Sequence, residues 1–304
     1  APPASPPPAA PTAAPAPEKA APRVVPIERV AARGAFLPPL PTAVTSFGAA
    51  GSGKELFIAG GYAGIPHAYS REGQSADVLA YEVGSTEGFH VIAQLDRGLQ
   101  GLAAVFQDGK LCTFGGNHAS NEAGTPTVMN SVTSARCLDT QTKAWTDLPA
   151  LPVGRSSHAA VLAGSTVYVT GGWTLNGNAD TGVFVEDVLS LDLKEPEAGW
   201  KSIPAPFKRR AVGAGVVGTK LVIVGGMTSD GKPSNEVDVY DTKTGAWSKG
   251  AAFPGDAFGI GVASVNQAIF ASGRDGVLKS FKPGDTAWKD VRKLAYGRFF
   301  HQLV

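Results

Sequence analysis

The chain has 304 residues, 43% of them hydrophobic, and its 27 basic and 26 acidic side chains leave a formal charge of +1. That balance excludes a partner held by bulk charge, and the basic stripe with interleaved aromatics that marks a nucleic-acid binder is missing. No apolar run reaches the roughly 18 residues a membrane-spanning helix needs, so the length is read as one large globular core preceded by a tail.

Residues 1–22 form that tail, nearly all Ala and Pro. Such a segment cannot bury a core and favours extended polyproline II, which makes it a spacer. The first residue is Ala rather than Met and no signal sequence is visible, which fits a mature chain whose leader has been removed. The expected setting is periplasmic, secreted or tethered to a bacterial envelope. The alternative is an interdomain linker of a longer chain.

Beyond the tail one unit recurs. A Gly-Gly pair closes an apolar run at Phe57-Ile58-Ala59-Gly60-Gly61, Cys112-Thr113-Phe114-Gly115-Gly116, Tyr168-Val169-Thr170-Gly171-Gly172 and Ile223-Val224-Gly225-Gly226, with a degenerate copy at Phe270-Ala271-Ser272-Gly273. First glycines are separated by 55, 56 and 54 residues. An aromatic runs in phase, Phe89, Trp145, Trp200, Trp247 and Trp288, each standing 25 or 26 residues before the next such landmark where one follows. A period near 50 residues means one supersecondary unit copied around an axis.

The third copy divides into four β-rich runs: Arg155 to Leu162, Ser165 to Gly171, Phe184 to Leu193 and Trp200 to Ile203. None carries a 3.6-residue period, so the class is all-β. Gly-Gly suits a strand end where backbones crowd, and Trp suits an outer strand that fills the gap between sheets. Radial repetition of four-stranded sheets is a β-propeller. Five blades are expected at about 40–95, 96–149, 150–204, 205–252 and 253–292.

A sixth blade opens at Arg298-Phe299-Phe300-His301, which repeats the spacing of Arg155 and His158, but its Gly-Gly is due 25 residues after Trp288, past Val304. The sixth is therefore assigned residues 293–304 plus 24–37, the N-terminal segment donating an outer strand that removes an open edge. The propeller domain then spans 23–304, and its missing inner strand is expected either from a continuation of the chain or from another polypeptide.

The repeat resembles the kelch family over roughly residues 37–304. A strand opening in Arg-x-x-His, a Gly-Gly pair, a Leu-Asp or Tyr-Asp dipeptide and a Trp are met by Arg155, His158, Gly171-Gly172, Leu191-Asp192 and Trp200. The next copy gives Arg209, Gly225-Gly226, Tyr240-Asp241 and Trp247, with Val212 in place of the His. The resemblance implies a kelch propeller, a fold that serves protein-interaction modules, actin binders, sugar enzymes and oxidase domains, and so does not set the activity.

Binding residues are sought in the long, dissimilar loops after each Gly-Gly, at Tyr62, His67, Tyr69, Arg71, Asn117, His118 and Trp173. Arg155, Arg209 and Arg298 share one phase at the start of the inner strand, where converging guanidinium groups would suit a carboxylate, a phosphate or an acidic peptide side chain. Val44, Leu99 and Asp256 stand at that phase elsewhere. Interblade hydrogen bonding is the alternative role for these arginines.

Cys112 and Cys137, the two cysteines, face one another if Lys110 pairs with Asp139, leaving a disulfide and two small buried thiols both open. No spacing fits a metal site, and no cofactor or metal is expected. His67, His118, Glu122, Asp180, Asp230 and Asp256 offer no base with an orienting partner, so catalysis is not expected. The leading reading is a binding module for a protein or peptide, with a carbohydrate or acidic small molecule as further ligand classes. The alternative is a secreted sugar enzyme resembling N-acetylneuraminate epimerase, to which the stretch from Leu151 to His158 before Gly171-Gly172 is similar. The copper-holding Tyr, Cys and His set of galactose-oxidase-like domains is not found.

Overall fold

The computed structural model describes residues 37–304. Within them five antiparallel four-stranded sheets follow one another, and no α-helix occurs among the described residues. The innermost strands are Gly48–Gly51, Ala103–Gln107, Ala159–Ala163, Gly213–Val217 and Gly261–Val265. The outermost are His90–Gln94, Trp145–Asp147, Lys201–Pro204, Ala246–Lys249 and Lys289–Lys293.

The core lies between blades rather than inside any one of them. Strand residues alternate faces. In Lys220–Val224, Leu221 and Ile223 pack with Tyr168 and Val188 of the third blade, while Val222 and Val224 pack with Ile269 and Ala271 of the fifth. A strand buried on both faces reads as a continuous apolar run, which is what precedes each Gly-Gly.

The glycine pair has a steric cause. The first glycine is left-handed, with φ of 64° at Gly60 and 65° at Gly171. A Cβ there would stand 2.5 Å from the Leu99 carbonyl oxygen and 2.8 Å from that of Arg209. The second glycine donates to the same carbonyl of the next blade: Gly61 N to Leu99 O at 2.8 Å, Gly116 N to Arg155 O at 2.8 Å, Gly172 N to Arg209 O at 2.9 Å and Gly226 N to Ala257 O at 2.9 Å. Each pair is a backbone stitch between blades, and Ala257 rather than Asp256 occupies the fifth blade's phase.

The tryptophans stitch the rim. Trp145, Trp200, Trp247 and Trp288 donate their indole N–H to the carbonyls of Gln94, Pro149, Pro204 and Ala251 at the end of the preceding blade. The apolar ring fills the gap between sheets while its polar edge is satisfied. In the second blade Cys112 pairs directly with Cys137, and a disulfide joins them.

Residues 298–304 occupy the sixth position without forming a strand: Phe300 N donates to Gly259 O at 2.7 Å and Gln302 Nε2 to Phe47 O at 3.4 Å. The outer strand expected over 24–37 and the tail over 1–22 lie, but for Leu37, outside the described residues. A central channel of about 310 Å³ is lined by residues 48–51, 102–105, 158–162, 212–216, 262–264 and 302–304, one segment from each of six positions.

Candidate functional site

At the Gly-Gly end the channel is narrowed by a backbone ring. One residue per position is left-handed: Ser46 at φ 57°, Gly101 at 63°, Ser157 at 52°, Ala211 at 53°, Gly259 at 62° and Phe300 at 52°. Each of the last five donates its N–H to the carbonyl of the one before, from Gly101 N to Ser46 O at 2.6 Å through to Phe300 N to Gly259 O. Four non-glycine residues held there store on the order of 1–3 kcal/mol of strain each, which the ring over-determines. The third blade's inner strand accordingly begins at Ala159 and not at Arg155 as expected, because Arg155 to His158 are taken up by this turn.

The residue before each ring position forms the rim: Thr45, Gln100, Ser156, Arg210, Phe258 and Phe299. Four of them pair antiparallel with the residue after a Gly-Gly, as Thr45 with Tyr62, Gln100 with Asn117, Ser156 with Trp173 and Arg210 with Met227. The loops beyond are more ordered than expected. Asn117–Ala119, Met129–Ser131 and Trp173–Phe184 form a three-stranded sheet over the face. Ala119, Met129 and Leu175 are its core, and Tyr69 and Trp173 pack against it.

Two of the arginines read from the sequence as ligand anchors need correction. Arg155 is 3% exposed, ion-paired with Asp187 and bonded to the Asp187 carbonyl at 3.2 Å. Arg209 is 1% exposed, ion-paired with Asp238, and donates to the carbonyls of Gly225 and Glu236, both at 2.9 Å. At these two crossings the fold leaves carbonyls and an aspartate to be satisfied, and the guanidinium groups satisfy them. Arg298 is exposed, its guanidinium 5.4 Å from the Tyr296 ring centre.

Of the loop residues, Tyr62 is buried, donates to Ala68 O at 2.8 Å and meets Tyr69 edge-on at 5.1 Å. Asn117 is buried beneath the face and His118 Nδ1 lies 3.0 Å from Gly98 O, so both serve the scaffold. Arg71 pairs with Glu72 at 3.2 Å and Glu122 at 3.5 Å in solvent. His67, Tyr69 and Trp173 remain at the surface of the patch, His67 edge-on to Tyr69 at 6.2 Å. Burial raises the Tyr69 pKa above its ordinary value, against the lowering charge of Arg210.

Arg210 is the residue the sequence reading passed over. It follows Arg209 on the short strand Arg209–Arg210, so alternation turns one inward and the other onto the rim. Its guanidinium lies 4.2 Å over the Trp173 ring and 5.6 Å from that of Phe258, and Nη2 reaches Met227 Sδ at 3.3 Å. Phe258 continues to Phe300 at 5.0 Å and Phe299 at 6.2 Å. The signal was the alternation itself, legible only once the strand's register is known.

His158 stands one residue past the ring, buried against Gly115, and neither ring nitrogen has a partner. Burial, aided by Arg155, pushes it down to about 3, so it is a neutral wedge between blades. No group of three or more His, Cys, Asp and Glu side chains placed to hold a metal occurs among the described residues, and no helix there is long and apolar enough to cross a membrane.

Five stitched blades, a sixth position and a loop face roofed by its own sheet define a β-propeller. Residues 101–291 match the model of the KLHDC2/KLHL20/DRC7 Kelch-repeats domain, and the chain belongs to the kelch-repeat family. It is 26% identical over 186 residues to human Kelch-like protein 34, covering 55% of this chain and 29% of that one. With Kelch-like protein terF of Aspergillus terreus it shares 27% over 230 residues, 74% of this chain and 48% of the relative. With Kelch domain-containing protein 3 of Bos taurus it shares 28% over 202 residues, 62% and 48% respectively. The chain thus spans less than half the length of these relatives. The solved structure of YjhT superposes with a TM-score of 0.68 at 16% identity, covering 88% of this chain and 89% of that one, a likeness of fold.

Proposed function

We propose that this chain is a non-enzymatic binding module whose protein partner docks on the loop face. Kelch-repeat proteins are generally protein-binding modules. The observation that supports this face is its aromatic surface: Trp173 and Phe258 lie against Arg210, whose charge also reaches Tyr69, while Phe299 lies 6.2 Å from Phe258 and against the Arg274 guanidinium. Aromatic and arginine anchors dominate protein interfaces. On the opposite face the turns are polar and self-satisfied, as where Asp139 Oδ1 accepts from the backbone of Gln141 and Thr142 and Asp241 Oδ1 from that of Lys243. The Cys112–Cys137 disulfide supports an oxidising, extracytoplasmic setting.

The test is selection of peptides from a random display library on the intact protein, followed by Phe299→Ala and Trp173→Ala. Phe299 is 46% exposed, so its truncation leaves the core intact. Selected peptides should lose about 1–3 kcal/mol of affinity in each variant. Peptides that bind both variants as tightly as the parent, or that map to the turns at Asp139 and Asp241, overturn this assignment.

A further inference from the structure

We propose that the loop face is built to receive a carboxylate side chain, an Asp or Glu of the partner, at Arg210; this rests on the protein-binding reading and adds its chemistry.

Three arginines of the described chain are drawn out of water by the blades, and two are neutralised: Arg155 by Asp187 and Arg209 by Asp238. The Nε of all three is buried without an acceptor, but Arg210 alone of them forms no ion pair among the described residues, its guanidinium lying 4.2 Å over the Trp173 ring and 5.6 Å from that of Phe258. A desolvated charge without a partner is costly, and a charged group held so at a concave face is a candidate for function. Asp180, whose charge reaches Tyr69, is exposed and makes no ion pair with Arg210.

The hydrogen-bonding inventory points the same way. On this face the buried side-chain atoms without partners are Gln100 Nε2, Trp173 Nε1 and Arg210 Nε, all donors, against a single acceptor, Asn117 Oδ1. A surplus of donors beside an uncompensated cation calls for an anionic acceptor. The guanidinium fork, 4.2 Å over the Trp173 ring and 5.6 Å from that of Phe258, can meet a planar carboxylate in two-point contact. Arginine, unlike lysine, keeps its charge at such a site and stacks while pairing.

The experiment uses the full chain with 15N-labelled tryptophan and follows the Trp173 indole N–H resonance, assigned by its loss in Trp173→Phe. The probes are blocked glutamate (N-acetyl, N-methylamide), the matching blocked glutamine, and inorganic phosphate. The expected result is a saturable shift with blocked glutamate at concentrations at least about tenfold below those needed for blocked glutamine. Arg210→Met abolishes the difference with an unchanged melting temperature, and Arg210→Lys retains part of it. Equal responses to the two amino-acid probes, a glutamate response that survives Arg210→Met, or phosphate displacing glutamate at lower concentration would each overturn the proposal. Display peptides that need Trp173 yet bind unchanged when every Asp and Glu becomes Asn and Gln would overturn the carboxylate while leaving the protein-binding reading intact.

Discussion

Arg209 and Arg210 are neighbours in the chain and belong to different regions of the molecule. Arg209 closes the seam between blades, satisfied by Asp238 and two carbonyls. Arg210 lies on the rim among aromatic rings with no carboxylate. The same side chain is structural where the fold supplies its counter-charge and available for recognition where it does not. The difference is made by a single step of strand alternation.

The largest effect is expected inside the seam. Asp238→Asn strands a fully buried guanidinium, and breaking such a pair costs about 3–5 kcal/mol. Urea unfolding should register it, with loop-face binding of the remaining folded protein unchanged. A loss below about 1 kcal/mol would show that Arg209 finds other compensation in place.

His158 comes next. Its folded pKa is depressed to about 3 from an ordinary 6.5, so the unfolded state binds the proton first as pH falls. Its contribution is complete above 6.5 and is lost on acidification towards 3. Between pH 7 and pH 4 this amounts to roughly 3 kcal/mol. His158→Leu, with a wedge like Leu102 against Gly60, should flatten that part of the profile, and an unaltered profile would contradict a neutral, buried imidazole.

Asp187→Asn is expected to cost less than Asp238→Asn. The Asp187 side chain is 26% exposed and the Asp238 side chain 1%. Water replaces part of what is lost, leaving about 1–2 kcal/mol in the same unfolding assay. Equal costs at the two sites would deny that burial sets the difference.

Much of this fold was legible because its requirements are local in sequence. The crowded carbonyl at each blade crossing demands Gly60, Gly115, Gly171 and Gly225, and the gap between sheets demands Trp145, Trp200, Trp247 and Trp288. The pairing of Cys112 with Cys137 followed from hairpin register. The site was less legible. Its roof pairs residues 129–131, themselves paired with 117–119 of the same blade, with 173–184 of the next, a contact no spacing announces. The backbone ring depends on left-handed Ser157, Ala211 and Phe300, residue types that give no warning of that conformation. Arg155 and Arg209 were conspicuous through their repeat phase, and that phase marked a structural duty, while the non-repeating Arg210 was free to differ.

The most direct measurement is a side-by-side urea titration of Arg209→Met and Arg210→Met. Arg209→Met, which leaves Asp238 buried with only Lys249 to answer it, should lose on the order of 2–4 kcal/mol, whereas Arg210→Met should stay within about 0.5 kcal/mol of the parent or exceed it. Equal losses in the two variants would contradict the division of labour between seam and rim.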